Sequence, residues 1–94
     1  MGTPLKNEEV DQALTSLKDW RRDGKELVRS FEFDGFPAAV KFVNRIAQLA
    51  EEANHHPDIL INYNKVKLTL SSHDSGGITQ RDIRMATAIS SINE

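Results

Sequence analysis

The sequence predicts one α+β domain, a four-stranded antiparallel sheet with three helices packed on one face, in the order α-β-β-α-β-β-α. Three observations carry this reading. Two stretches, around residues 20–33 and 59–70, alternate apolar with polar residues on either side of a Gly- or Asn-containing turn. Three stretches before, between and after them carry apolar residues at helical spacing. Finally, 94 residues are too few to hide two separate cores, so residues 1–94 are read as a single domain with 1–6 as a flexible N-terminus.

Taken in order, Asn7 is placed to cap a first helix, with Glu8 and Glu9 in its first turn and Val10, Leu14 and Leu17 on one face, ending near Lys18. Asp23-Gly24 predicts a hairpin turn, with Trp20 and Arg22 before it and Leu27, Arg29, Phe31 and Phe33 alternating after it. Asp34-Gly35-Phe36-Pro37 breaks the strand and starts the longest helix, Asp34 being close enough to cap it and Pro37 suited to its first turn. Along that helix Phe36, Val40, Val43, Ala47 and Ala50 form a stripe that runs to about Asn54, where His55-His56-Pro57 ends it. Ile59, Ile61 and Tyr63 alternate in a third strand and Val66, Leu68 and Leu70 in a fourth, with Asn64-Lys65 at the turn. Ser75-Gly76-Gly77 stops the last strand, and Thr79 with Asp82 three residues on makes an approximate capping box for a final helix striped by Met85, Ile89 and Ile92.

Composition narrows the function. Twelve Lys and Arg against 14 Asp and Glu give a net charge of −2, which offers no general footprint for direct nucleic-acid binding or an anionic membrane. The absence of cysteine excludes disulfides and thiolate metal sites. Met1 to Lys6 lacks the apolar run of a signal peptide, Lys6 stands where myristoylation wants Ser or Thr, and no segment is long enough to span a bilayer, so a soluble, cytoplasmic chain is expected. A domain this small buries only about 60–65% of its unfolded surface, so self-association would help it.

All three histidines fall between positions 55 and 73, each at a boundary between elements. Histidine is the side chain best matched to moving protons near neutral pH, so the group points to acid–base chemistry. Glu51 precedes His55 by one helical turn and could orient its ring or form a solvated surface pair, and Asp82 stands at the head of the last helix. A three-histidine metal site is the weaker alternative, because adjacent residues such as His55 and His56 diverge; His56 could equally cover the carbonyls at a helix end. The four phenylalanines read as core, Arg21, Arg22, Lys25 and Arg29 as a solvated basic face, and Tyr63 as strand packing. Trp20 can pack or flank a ligand, and Arg81 can pair with an acid, touch a substrate or simply open the helix. Composition and spacing therefore indicate a histidine-rich cleft without naming a substrate.

The ordered set Glu51-Glu52-Ala53-Asn54-His55-His56-Pro57, Tyr63-Asn64-Lys65-Val66, Leu70-Ser71-Ser72-His73 and Arg81-Asp82 resembles the pterin-4a-carbinolamine dehydratase family, and the likeness extends over Trp20, Phe31-Glu32-Phe33 and the long helix. The resemblance implies dehydration of a 4a-hydroxytetrahydropterin, the product of aromatic amino-acid hydroxylases, to quinonoid dihydropterin and water, which recycles a tetrahydrobiopterin-type cofactor. It implies no metal and no cofactor of the enzyme's own. By the same resemblance His55 and His73 are the proton-transfer pair, His56 binds and polarises the substrate, and Glu51 and Asp82 set the imidazoles. Asn54, Ser71, Ser72, Trp20 and Arg81 are further substrate-binding candidates, Asn54 replacing the aspartate common in animal members. The expected assembly is a homodimer or homotetramer. Animal relatives also stabilise a homeodomain transcription factor through a helical interface, so an interaction module is the alternative reading, and service to another pterin-linked pathway is a further one.

Overall fold

The computed structural model describes residues 3–92. Its elements are α1 (Asn7–Leu14), β1 (Arg21–Asp23), β2 (Glu26–Glu32), α2 (Phe36–Ala53), β3 (Asp58–Asn62), β4 (Lys65–Leu70), a 3₁₀ turn at His73–Ser75, and α3 (Gln80–Ile92). The four strands form one antiparallel sheet in the spatial order β1-β2-β4-β3: both predicted hairpins are present, and β2 pairs with β4 to join them.

The sheet places β4 at the centre of the fold. Val66, Leu68 and Leu70 alternate toward the helices and are fully buried, each contributing about 1.5–3 kcal/mol of apolar burial. Phe31 from β2 joins them, and Phe42 from α2 packs on it at 4.7 Å between ring centroids and on Phe33 at 5.0 Å. Val10, Leu17, Trp20, Ile46, Met85 and Ile89 complete one continuous core between the sheet and the helices.

Several local expectations shift. α1 begins one residue earlier than a cap at Asn7 would give, with Lys6 as its cap: the Glu9 carboxylate accepts the Lys6 N–H at 2.8 Å. It stops at Leu14 rather than near Lys18, because the Thr15 hydroxyl bonds back to the Gln12 carbonyl and the backbone tightens into successive three-residue turns up to Trp20. Residues 1–6 are not uniformly loose, since Leu5 donates its N–H to the Ile78 carbonyl at 2.8 Å and packs on the core; Met1 and Gly2 lie outside the described residues.

The first hairpin pairs Asp23 with Glu26, so its two turn residues are Gly24 and Lys25, Gly24 taking the positive φ of 61° that favours glycine. Arg29 leaves the expected solvated face: its side chain is only 12% exposed, with the guanidinium 4.4 Å from the Phe31 ring centroid, 3.1 Å from Ser90 Oγ and 3.4 Å from Asp19. α2 is capped by Gly35, with no side-chain bond from Asp34. Its buried stripe is Ala39, Phe42, Ile46 and Ala50, displaced from the predicted one, and Phe36 is 49% exposed instead of core. More than half of this helix's circumference is apolar, so two stripes were available and packing on the sheet selected the one carrying the larger Phe42 and Ile46.

Tyr63 is not a strand residue. Asn62 pairs with Lys65, which makes Tyr63-Asn64 the turn, with Tyr63 at φ 56° and 66% exposed. The Asn64 side-chain amide donates to the Phe33 carbonyl at 2.9 Å and its own carbonyl accepts the Phe33 N–H at 2.8 Å. Those two bonds tie the turn to the end of β2 and fix it one residue earlier than the alternation suggests.

Candidate active site

The site is built around the C-terminus of α2 and the N-terminus of α3. Asn54 ends α2 in the left-handed conformation (φ 51°, ψ 43°), which asparagine tolerates better than most residues, and the His55 N–H closes on the Ala50 carbonyl at 3.1 Å. The helix ends before Glu51 and His55 can share a face. His55 turns inward and is 8% exposed, whereas His56 stays outside.

Each histidine thus acquires a different carboxylate. Glu51 Oε2 lies 2.5 Å from His56 Nε2, an exposed pair that replaces the expected Glu51–His55 contact and contributes ~0–1 kcal/mol. His55 Nε2 instead lies 2.6 Å from Oδ1 of Asp82, which is fully buried in the first turn of α3. Asp82 Oδ2 accepts the Ser72 hydroxyl and the Thr79 N–H, both at 2.9 Å. Imidazole is a stronger base than carboxylate, so the proton between His55 and Asp82 belongs on Nε2 and the carboxylate accepts three hydrogen bonds. Nδ1 is then the His55 nitrogen with no protein partner among the described residues. An imidazole held by one nitrogen and free at the other can take or deliver a proton in a fixed direction.

His73 opens the 3₁₀ turn directly after Ser72 and is exposed. With Asp23, Lys25, Glu26, Ser71, Gly76 and Gly77 it lines an open cleft of about 510 Å³ beside the β1–β2 turn. Neither His55 nor His56 lines that cleft; His55 connects to it through Asp82 and Ser72, the residue before His73, whereas His56 bonds only to Glu51.

The remaining candidates separate. Ser72 is buried, and its hydroxyl serves Asp82 rather than an open cleft. Ser71 donates its hydroxyl to the Lys25 carbonyl at 2.9 Å while lining the His73 cleft. Asn54 is exposed at the helix end. Arg81 Nη2 binds Asp74 Oδ1 at 2.8 Å, and this hydrogen bond, opposed in part by desolvation, holds the Asp74 carboxyl below its ordinary range. Arg81 Nε is the one buried side-chain polar atom without a hydrogen-bond partner among the described residues. Trp20 is 4% exposed and donates its indole N–H to Ser90 Oγ at 3.2 Å. Ser90 is eight residues past Asp82, or ~12 Å along α3, so Trp20 belongs to the core away from the histidines.

Sequence reasoning treated Thr79 only as a cap. Its capping partner, Asp82, is also the partner of His55, and no local pattern signals a contact across 27 residues. Among the described residues no three His, Asp or Glu side chains converge as a metal site would need, and no helix is long and apolar enough to cross a membrane.

Comparisons with known proteins agree with this architecture. A provisionally named pterin-4-alpha-carbinolamine dehydratase of Koribacter versatilis is 48% identical over 99% of both chains, and one of Roseiflexus sp. is 46% identical over 98% of this chain and 99% of that one. The crystal structure of a protein from Brucella melitensis described as transcriptional coactivator/pterin dehydratase superposes with a TM-score of 0.93 at 34% identity, covering 98% of this chain and all of the other. A pterin dehydratase-like protein described as a RuBisCO assembly factor in the alpha-carboxysome superposes with a TM-score of 0.67 at 26% identity, over 79% of this chain and 88% of that one. With the family model for pterin 4 alpha carbinolamine dehydratase matching residues 3–92, the chain belongs to that family.

Proposed function

We propose that this chain is a hydro-lyase that converts a 4a-hydroxytetrahydropterin to quinonoid dihydropterin and water, and so recycles a tetrahydrobiopterin-type cofactor downstream of an aromatic amino-acid hydroxylase. The observation that carries the reading is the buried His55–Asp82 pair at 2.6 Å, which leaves Nδ1 of His55 as an oriented base. In the reaction the C4a–O bond breaks, the departing hydroxyl gains a proton, N5 loses one, and a C4a=N5 double bond forms. His55 takes the N5 proton at Nδ1, and His73, exposed and accessible to the substrate, delivers the proton to the hydroxyl. His56, braced by Glu51, binds and polarises the pterin. Asn54, Ser71 and Arg81 border the site. The chemistry requires neither a metal nor a separate cofactor.

The assembly in this proposal is a cytoplasmic homodimer or homotetramer. Ile59, Leu60 and Tyr63 on and beside the edge strand β3, 38%, 61% and 66% exposed, supply apolar surface for it. The same surface supports a second reading, an interaction module that stabilises a partner protein, a role also consistent with the coactivator and assembly-factor descriptions of the structural relatives.

The test is the rate of 4a-hydroxytetrahydropterin dehydration by purified, chelator-treated protein with the spontaneous rate subtracted, followed across pH 5 to 9. Acceleration lost in His55→Ala and His73→Ala, with assembly intact, supports the enzyme. Folded wild-type protein that gives no acceleration removes the catalytic reading and leaves the interaction module.

A further inference from the structure

Four polar or charged residues are buried among the described residues, His55, Ser72, Thr79 and Asp82, and all four belong to one hydrogen-bond network. Burying polar groups is costly unless each is satisfied, so a network confined to one place fixes the geometry there. Its protons can be assigned. Ser72 has one hydroxyl proton and gives it to Asp82 Oδ2. The 2.8 Å contact between Ser72 Oγ and Thr79 Oγ1 therefore has Thr79 as donor, and Thr79 Oγ1 in turn accepts the Arg81 N–H at 3.2 Å. Every bond in the chain from Arg81 N–H through Thr79 and Ser72 to Asp82 runs in the same direction, toward the carboxylate that holds His55. Thr79 reaches that carboxylate a second time through its own N–H.

Thr79 also meets the support of the other histidine. Ser72 and Gly77 exchange backbone hydrogen bonds at 3.0 and 3.3 Å, closing the short loop that carries His73. The Ser72–Thr79 hydroxyl contact fastens that loop to α3.

Resting on the proposed roles of His55 and His73, we propose that Thr79 is a positioning residue whose hydroxyl, acting through Ser72, holds the Asp82 carboxylate in the orientation that directs His55 and its free Nδ1. An ordinary helix cap would need only the Thr79 hydroxyl to accept from Arg81 and Asp82 to accept from Thr79. The outgoing Thr79 bond to Ser72 is unnecessary for capping and is the part that reaches the site.

Three variants separate positioning from capping. Thr79→Val removes the hydroxyl at nearly constant shape, Ser72→Ala cuts the relay while leaving the cap, and Thr79→Ser restores both. The readouts are the ¹⁵N resonances of the His55 imidazole, kcat and KM for 4a-hydroxytetrahydropterin dehydration, and thermal melting. The expected result is that Thr79→Val and Ser72→Ala both shift the His55 imidazole resonances and lower kcat by about tenfold with KM within about twofold, while Thr79→Ser stays near wild type. If both variants keep the wild-type imidazole resonances, Thr79 is only a cap and the proposal is overturned, whatever happens to melting. Should Thr79→Val fail to fold, Thr79→Ala, read by the same imidazole resonances, takes its place. A wild-type protein without dehydratase activity would sink the function proposed above, whereas the tautomer readout would still judge Thr79.

Discussion

Replacing Asp82 by asparagine tests the central geometry with almost no change in volume. The carboxylate accepts from His55 Nε2, Ser72 Oγ and Thr79 N, at 2.6, 2.9 and 2.9 Å. An amide has one accepting oxygen, and that oxygen best replaces Oδ2, where it keeps the Ser72 and Thr79 bonds. Its NH₂ then faces His55 and requires Nε2 to accept, which moves the ring proton to Nδ1, the nitrogen proposed as the base. Stability should fall by only about 1–2 kcal/mol, since one charge-assisted bond becomes neutral and only the second amide N–H is left without an acceptor. Catalysis should fall by ~10²–10⁴-fold, the usual contribution of a positioned acid or base. Asp82→Ala should behave differently: it leaves three buried donors unpaired and should cost about 3 kcal/mol or more of stability. Dehydration kinetics, ¹⁵N tautomer assignment and thermal melting on the same samples report the three effects. Undiminished kcat in Asp82→Asn, with the His55 proton shown to have moved to Nδ1, would refute the assignment of His55 as base.

Other consequences follow from the same contacts. Trp20→Phe keeps the buried ring but removes the N–H bond to Ser90, so melting should report a loss of about 1 kcal/mol with kcat/KM within about twofold; a large rise in KM would return Trp20 to the substrate. Tyr63→Asn should raise stability by up to ~1 kcal/mol in denaturant unfolding, because asparagine accepts the positive φ at that turn more readily, and a destabilised variant would show that the exposed ring is held by other contacts. Asp74 is held below its ordinary 3.8 by Arg81, so its link to Arg81 stabilises the fold at higher pH and is lost as pH falls through the lowered value. The melting difference between wild type and Asp74→Asn should therefore be present near pH 6 and shrink as pH falls below the ordinary carboxylate range; a difference that persists undiminished in acid would exclude the ionic link as its source.

What the sequence determined by itself was the set of elements and the region of the chemistry. The alternation of Val66, Leu68 and Leu70, the Asp23-Gly24 signal and the break at Pro57 are local patterns whose period dictates strand, turn and helix end, and each lies within a residue or two of where it acts. The order of those elements left few ways to form an antiparallel sheet, and the positions of His55, His56 and His73 put the candidate site near their boundaries. Tertiary structure alone decided what each side chain meets. Ending α2 one residue before Asn54 and turning Asn54 left-handed redirected His55 from Glu51 to Asp82, because successive helical positions differ by about 100° and a single non-helical residue resets that angle. The inward use of Ser72, the rotation of the α2 stripe, the bond of Arg29 to Ser90 and the distance of Trp20 from the histidines likewise depend on partners 10 to 70 residues away. Local periodicity reports which face of an element is apolar; which distant group satisfies a buried polar atom is settled only when the layers close.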